Sequence, residues 1–182
     1  MKKILVLTGS PRKNGNSSMM ADAFIKGAEK NGNEVIRFDA GFMKLSGCTA
    51  CNTCWSTDTA CTVKDDFNKI EPYLESCDAI VFSIPLYWFS FPAQVKCIID
   101  RLYAYGGSGG PRPMTIKESA LMIVSEDTNP EQFKSLYAMY DGMCSFLHWD
   151  VKSILTAGGV GNPGDIQNTE FLATAEELGE KF

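Results

Sequence analysis

Five short, mostly apolar runs, each followed by a stretch with helical spacing, leave few architectures open to this chain. The runs are Lys3–Thr8, Glu34–Asp39, Asp78–Ile84, Ser119–Ser125 and Val151–Thr156. Several are apolar on successive residues rather than on alternate ones, which marks strands buried on both faces. Between them, Ser17–Asn31 places Met20, Phe24 and Ala28 four apart, with Gly32 as a stop. Asp65–Ser76 opens with acidic residues that suit the helix dipole. Phe91–Tyr105 carries Pro92 in its first turn, Pro130–Leu147 begins with Pro and Glu, and Asp165 is expected to cap a last helix from about Ile166 to Lys181. Strand–helix alternation of this kind predicts an α/β fold, with a five-stranded parallel sheet and helices on both faces. A length of 182 residues suits one domain, residues 1–182. In such a sheet ligands bind outside the carboxyl ends of the strands. The loops expected to matter are therefore Gly9–Ser18, Pro85–Phe91 and those starting near Ser125 and Ala157.

Composition removes several classes. Hydrophobic residues make up 45% and charged residues 21%, an ordinary globular balance. A net charge of −5 argues against nucleic acid as a partner, because neutralising phosphates needs clustered Lys and Arg. With His148 as the single histidine, imidazole-rich metal sites are excluded. The run Ile4–Leu7 behind Lys2 and Lys3 is too short for a signal peptide, and no stretch is apolar enough for a membrane span. A reducing cytoplasm is the expected setting, where seven cysteines are thiols or metal ligands rather than disulfides.

The loop Gly9–Ser18 joins the first strand to the first helix. A helix amino terminus offers free N–H groups and a positive dipole end, which suit a phosphate. Ser10, Asn16, Ser17 and Ser18 add short polar side chains, and Arg12 adds one fork-shaped cation. The loop lacks both the Gly-Lys-Ser/Thr ending of a nucleoside-triphosphatase loop and the glycine spacing of a dinucleotide loop. Hydroxyls and amides with little charge suit a terminal monophosphate held without magnesium; the plainer alternative is a strand–helix turn capped by Ser17. On the same edge, Pro85-Leu86-Tyr87-Trp88-Phe89-Ser90-Phe91-Pro92 follows the third strand. Its aromatics cannot all be buried together, and a flat ring system could use some of them.

Gly9-Ser10-Pro11-Arg12 with Gly15-Asn16-Ser17, then Pro85-Leu86-Tyr87-Trp88 with Gln94-Val95-Lys96 and Ile99-Asp100-Arg101, resembles the flavodoxin-like NAD(P)H-dependent FMN reductases. The resemblance covers the first hundred residues well and the remainder loosely. It implies a three-layer flavodoxin-like fold with strand order 2-1-3-4-5 and non-covalent FMN. It implies that Ser10, Arg12, Asn16, Ser17 and Ser18 hold the FMN phosphate, while Pro85, Leu86, Tyr87, Trp88 and Phe89 line the isoalloxazine. The family's third flavin loop would fall at Ser125-Glu126-Asp127, which lacks the family's glycines.

Cys48, Cys51 and Cys54 are spaced by two residues each, and Cys61 follows after six more. Thiols so close in one loop can surround a single metal centre, and the spacing is nearer to ferredoxin ligation than to paired zinc knuckles. The pattern resembles the compact cysteine motif of the iron–sulfur flavoproteins, a branch of the same family, and implies a [4Fe–4S] cluster beside FMN. Related reductases that keep such cysteines without a cluster leave a second reading open. The stretch Gly41–Thr62 is too long and aperiodic to be ordered by packing alone, so a cluster would supply its order. Cys77, Cys97 and Cys144 are expected to pack as small apolar residues, and His148 to be structural.

The function that follows is an FMN-dependent oxidoreductase moving electrons from NAD(P)H to a small acceptor such as a quinone, a flavin or a nitro compound. The alternative is an iron–sulfur flavoprotein exchanging electrons with ferredoxin. A hydrolase or phosphotransferase is disfavoured, because no acidic cluster follows the first strand. No catalytic acid or base stands out. The aromatic stretch Tyr87–Phe91, with Ile98, Leu102 and Tyr105, predicts an apolar face and hence a homodimer or higher homo-oligomer.

Overall fold

The computed structural model describes residues 1–106 and 110–182. The sheet order is β2-β1-β3-β4-β5, with β1 Lys3–Thr8, β2 Glu34–Asp39, β3 Ala79–Pro85, β4 Glu118–Val124 and β5 Asp150–Ala157. All four pairings are parallel. The order is the flavodoxin-like one, and the strands match the sequence expectation to within a residue or two. The central strands read as unbroken apolar runs because both their faces are covered: every residue of β3 is buried.

One face packs Leu5, Leu7, Ile80, Phe82 and Leu121 against α2 (Phe67–Leu74), α3 (Ala93–Arg101) and α4 (Lys134–Leu147). The other packs Ile4, Val6, Val81, Ala120 and Met122 against α1 (Asn16–Lys30) and α5 (Phe171–Lys181). Odd and even strand residues thus serve opposite cores, the period-two rule of a pleated strand. Helices α1 and α5 meet backbone to backbone at Gly27 and Gly179. A Cβ on Gly179 would sit 2.1 Å from the Phe24 carbonyl oxygen, so only glycine permits this approach.

The helices are shorter than the sequence suggested. The segment after Arg101 tightens into a 3-10 turn, Leu102–Tyr105, and Pro130–Phe133 forms another before α4. Asp165–Asn168 is a separate 3-10 turn, so Asp165 does not cap α5. Periodicity does not distinguish a 3-10 turn from one more α-helical turn, and these short pieces lie at helix ends, where such turns are frequent. The run from Gly106 to Pro113, which its glycines and prolines mark as a loop in the sequence, lies partly outside the described residues. Among those described, no helix is long and apolar enough to cross a membrane.

The registers place Thr8 beside Asp39 and Ser83, Pro85 beside Val124, and Val124 beside Ala157. The carboxyl ends of the strands therefore share one edge. The chain leaves β1 outward to β2 and returns to β3 on β1's other side, so the switch point lies between β1 and β3.

Candidate functional site: a polar cleft and a cysteine cavity

A cleft of about 280 Å³ opens at this switch point. Its walls come from the loops after β1, β3, β4 and β5. Of the residues expected on the phosphate side, Ser10, Arg12, Asn16 and Ser17 line it. Ser18 does not; its hydroxyl accepts from Arg37 Nη2 at 2.6 Å. Pro85, Leu86 and Tyr87 line the opposite wall, and Trp88 and Phe89 line an adjoining open cleft together with Leu86, Tyr87 and Asp127.

Local geometry explains what each group is free to do. Gly15 precedes α1, and the Met19 amide is bonded back to it at 3.0 Å. The amides of Asn16, Ser17 and Ser18 fall in the first turn, where an α-helix provides no partner. The Asn16 side chain is already committed. Its Nδ2 donates to the carbonyls of Val160, at 3.1 Å, and Asn162, at 2.8 Å, while its Oδ1 accepts from the Gly164 amide. Asn16 thereby ties the β5–α5 loop to the start of α1 instead of reaching into the cleft. Ser17 is the reverse case. It is 1% exposed, its carbonyl accepts from the Ser83 hydroxyl at 2.7 Å, and its own hydroxyl has no partner among the described residues. A buried unpaired hydroxyl at a helix amino terminus, in a polar cleft, fits an anionic group such as the FMN phosphate. Arg12 is exposed, with Nη1 3.3 Å from the Gly161 carbonyl, so it can swing onto a ligand at the rim.

The aromatic segment is a tight hairpin. Tyr87 and Ser90 exchange backbone hydrogen bonds, at 3.3 and 3.1 Å. Trp88 and Phe89 between them hold φ of 45° and 62°. Two consecutive positive φ values make a turn that normally takes Asn-Gly. Each non-glycine residue there costs roughly 1–2 kcal/mol. Trp88 is 91% exposed, so the turn presents an indole to solvent beside the cleft. Strain of this kind concentrates at functional sites. The apolar face expected around it is narrower than the sequence suggested: Ile98, Leu102 and Tyr105 are buried in the chain's own core. Phe91 is buried as well; what remains outside is Tyr87, Trp88 and Phe89, with Tyr103 and Phe146 further along.

Residues Val160, Gly161 and Pro163 complete the cleft, with Ser125 and Glu126. Ser125 and Glu126 belong to the stretch where the family's third flavin loop was placed; Val160, Gly161 and Pro163 lie in a loop expected at this edge but were not singled out. The glycine-rich run Gly158-Gly159-Val160-Gly161-Asn162-Pro163-Gly164 directly after β5 was the available signal.

A second cavity, of about 500 Å³, lies between the loop after β2 and α3. Cys48, Cys51, Cys54 and Cys61 all line it, with Arg101 and Tyr103. Cys48 and Cys51 are exposed; Cys54 and Cys61 are half-buried. The Thr53 hydroxyl, 3.0 Å from Cys51 Sγ, leads the contacts that hold this thiol down at about 7. Burial, then the neighbouring Cys51, Cys61 and Cys48, push the Cys54 thiol up. Among the described residues no three His, Cys, Asp or Glu side chains converge on a single ion. A thiol-only set spread around one cavity fits an iron–sulfur cube, which spaces its thiolates more widely than one ion does.

The cysteine loop has a polar frame of its own, where the expectation was that packing alone would not order it and a cluster would supply the order. Asp65 and Asp66 receive the Ser46 and Lys44 amides at 2.8 and 2.7 Å. Glu71 receives the Ala60 amide at 2.8 Å, and Arg112 bonds the Asp58 carbonyl while pairing with Glu75. These carboxylates lie on α2 or at its two ends, so helix and loop are held together by polar staples that no hydrophobic period reveals. The Arg101 hydrogen bonds and then those from the Ser46 and Phe67 amides outweigh burial and hold Asp65 at about 2. Cys77 and Cys144 are buried as expected, and Cys97 is half-buried. His148 takes φ 57° at the carboxyl end of α4, a structural role.

The model of the family described as having a flavodoxin-like fold matches residues 2–180. The chain belongs to this family. It is 39% identical over 186 aligned residues to a protein of Archaeoglobus fulgidus named iron–sulfur flavoprotein, covering 100% of this chain and 79% of that one. Among solved structures it is similar to an NAD(P)H:quinone oxidoreductase from Methanothermobacter marburgensis, with TM-score 0.71 and 21% identity, over 99% of this chain and 96% of that one. It is also similar to an FMN-dependent NADH-azoreductase of Bacillus anthracis in complex with FMN, with TM-score 0.73 and 16% identity, over 100% and 99%.

Proposed function

We propose that this chain is an FMN-dependent oxidoreductase that takes electrons from NAD(P)H and passes them to a small acceptor such as a quinone, a flavin or a nitro compound. The observation that carries the reading is the unpaired Ser17 hydroxyl, buried where α1 begins, in the cleft that Pro85–Tyr87 close from the other side. Ser10, Ser17 and the first-turn amides of α1 hold the phosphate, and Arg12 closes over it. Asn16 and Ser18 support them, the first by fixing the β5–α5 loop and the second through Arg37. Pro85, Leu86 and Tyr87 seat the ring, with Trp88 and Phe89 at its open side. When bound, FMN supplies hydride acceptance and one- or two-electron release. No side chain needs to act as acid or base; the protein binds, orients and limits access.

A second reading is favoured by the four cysteines that share one cavity and by the name of the Archaeoglobus fulgidus relative. On it, Cys48, Cys51, Cys54 and Cys61 hold a [4Fe–4S] cluster and the protein exchanges electrons with ferredoxin. Helix α3 starts just beyond the aromatic turn and ends at Arg101 in the cysteine cavity. At ~1.5 Å per residue its nine residues span about 13 Å, which sets the scale between the two sites. The exposed Trp88, Phe89, Tyr103 and Phe146 suit a homodimer.

The test is an absorption spectrum of anaerobically purified protein, with FMN, iron and sulfide counted per chain. One FMN per chain, bound more tightly than riboflavin, is expected for the flavin reading. Equal affinity for FMN and riboflavin would remove the phosphate site. Four irons per chain would establish the cluster of the second reading, and none would leave a plain reductase.

A further inference from the structure

Arg101 is buried, with 1% of its side chain exposed, at the inner wall of the cysteine cavity. Its Nη1 donates to Asp65 Oδ1 at 2.7 Å and its Nη2 to Asp65 Oδ2 at 2.5 Å; Nη2 also donates to the Ser46 carbonyl. Ser46 lies two residues before Cys48 and Asp65 four after Cys61, so one guanidinium grips both ends of the cysteine loop. The guanidinium also lies over the Phe67 ring, 5.0 Å from its centroid. Its Nε–H is left over, buried and without a partner among the described residues. Ion pairing alone does not account for the arrangement. A buried ion pair seldom outperforms apolar packing in stability, and an unpaired buried donor is a further cost. Arg101 lines the cavity that the four thiols share, and a buried N–H with no protein partner there is what an anionic sulfur group would accept from; hydrogen bonds to cluster sulfurs raise reduction potential.

We propose that Arg101 is the positioning residue of the four-cysteine site: through Asp65 and Ser46 it sets the loop, and through its unpaired Nε–H it donates to the anionic iron–sulfur group that the cavity takes. This rests on the cluster reading of Cys48, Cys51, Cys54 and Cys61. It goes beyond that reading by naming a residue outside the ligand set that tunes the bound group.

The test compares Arg101→Lys and Asp65→Asn with wild type, each reconstituted anaerobically with ferrous iron and sulfide. Iron content, the cluster midpoint potential and cleavage of the loop by a dilute protease are measured, with FMN content as the folding control. Arg101→Lys keeps the charge but has no Nε–H. It should retain iron while its reduction equilibrium moves about tenfold toward the oxidised form, ~59 mV for one electron. Asp65→Asn keeps the Nε–H and removes one negative charge beside the site. Its potential should move the opposite way, while the loosened loop is cleaved faster. Loosening alone would move both variants in the same direction, so equal signs overturn the proposal even if one variant folds poorly. An iron-loaded Arg101→Lys with wild-type potential also overturns it and leaves the cluster reading intact. Wild type that binds FMN but no iron overturns the cluster reading and this assignment with it.

Discussion

Replacing Ser17 with Ala separates the cost of an empty phosphate site from its benefit. In the ligand-free protein the Ser17 hydroxyl is buried and without a partner among the described residues, and the Ser83 bond to its carbonyl holds the residue in place. A buried group in that state costs about 1–3 kcal/mol. Deleting it removes the penalty and leaves a gap of only one oxygen, so Ser17→Ala should stabilise the apoprotein by about 1 kcal/mol. For a chain of this length that raises Tm by about 2–4 °C. FMN reverses the sign. A hydrogen bond to a charged group is worth about 1.5–3 kcal/mol, so the variant should lose that much FMN affinity. The loss is about 10- to 100-fold in Kd. Riboflavin, with no phosphate, should bind as before. Scanning calorimetry of apoprotein and flavin-fluorescence titrations read both halves. A variant with lowered apo Tm and unchanged FMN affinity would refute the reasoning, because the hydroxyl would then be packing rather than waiting for an anion.

Arg12→Ala should weaken FMN by about 1.5 kcal/mol, the lower end for a charged hydrogen bond because Arg12 stands at the exposed rim; riboflavin titration provides the control. Asp65 titrates at about 2 in the folded protein, below the ~3.9 of an unfolded chain. Its contribution is therefore complete above pH ~4 and lost as pH falls toward 2. Proteolysis of the cysteine loop by an acid-active protease should accelerate across that window, and Asp65→Asn should be cleaved fast already at pH 5. Gly179→Ala forces a methyl against the Phe24 carbonyl and should destabilise by about 1–3 kcal/mol, seen as a lower urea midpoint with unchanged slope.

The sheet was legible because β1, β3 and β4 are central strands of a parallel sheet, and two covered faces leave an apolar run with no alternation to misread. The site loops followed from that sheet, since position at the carboxyl edge is a matter of topology. Single side chains were less legible. Asn16 and Ser17 are neighbours with similar chemistry, yet one is spent on the β5–α5 loop and the other is free. That difference is set by a segment more than a hundred residues away. The cysteine loop was misjudged for a similar reason. Its order comes from Asp65, Glu71, Arg101 and Arg112, charged residues that in sequence read as solvated helix faces. The apolar face was overestimated because Ile98, Leu102 and Tyr105 turn inward, and a helical stripe does not reveal which side of it is already occupied.

The two sites are linked by backbone rather than by side chains. A Cβ on Gly41, where the chain turns from β2 toward the cysteine loop, would lie 2.2 Å from the Ser10 carbonyl oxygen. The cysteine loop is thus seated directly against the phosphate loop. On its far side Arg101, the last residue of α3, holds the neck of the same loop. The other end of α3 begins just past the strained Trp88–Phe89 turn. A single short helix therefore runs from the open side of the polar cleft to the wall of the cysteine cavity. Both its ends are fixed, by the sheet edge through β3 and by the buried Asp65 pair. A rigid strut suits electron transfer, which needs two centres at constant separation and no atoms to travel between them. On the function proposed above, acceptor and nicotinamide would enter beside the exposed turn, where Trp88 has little packing to lose.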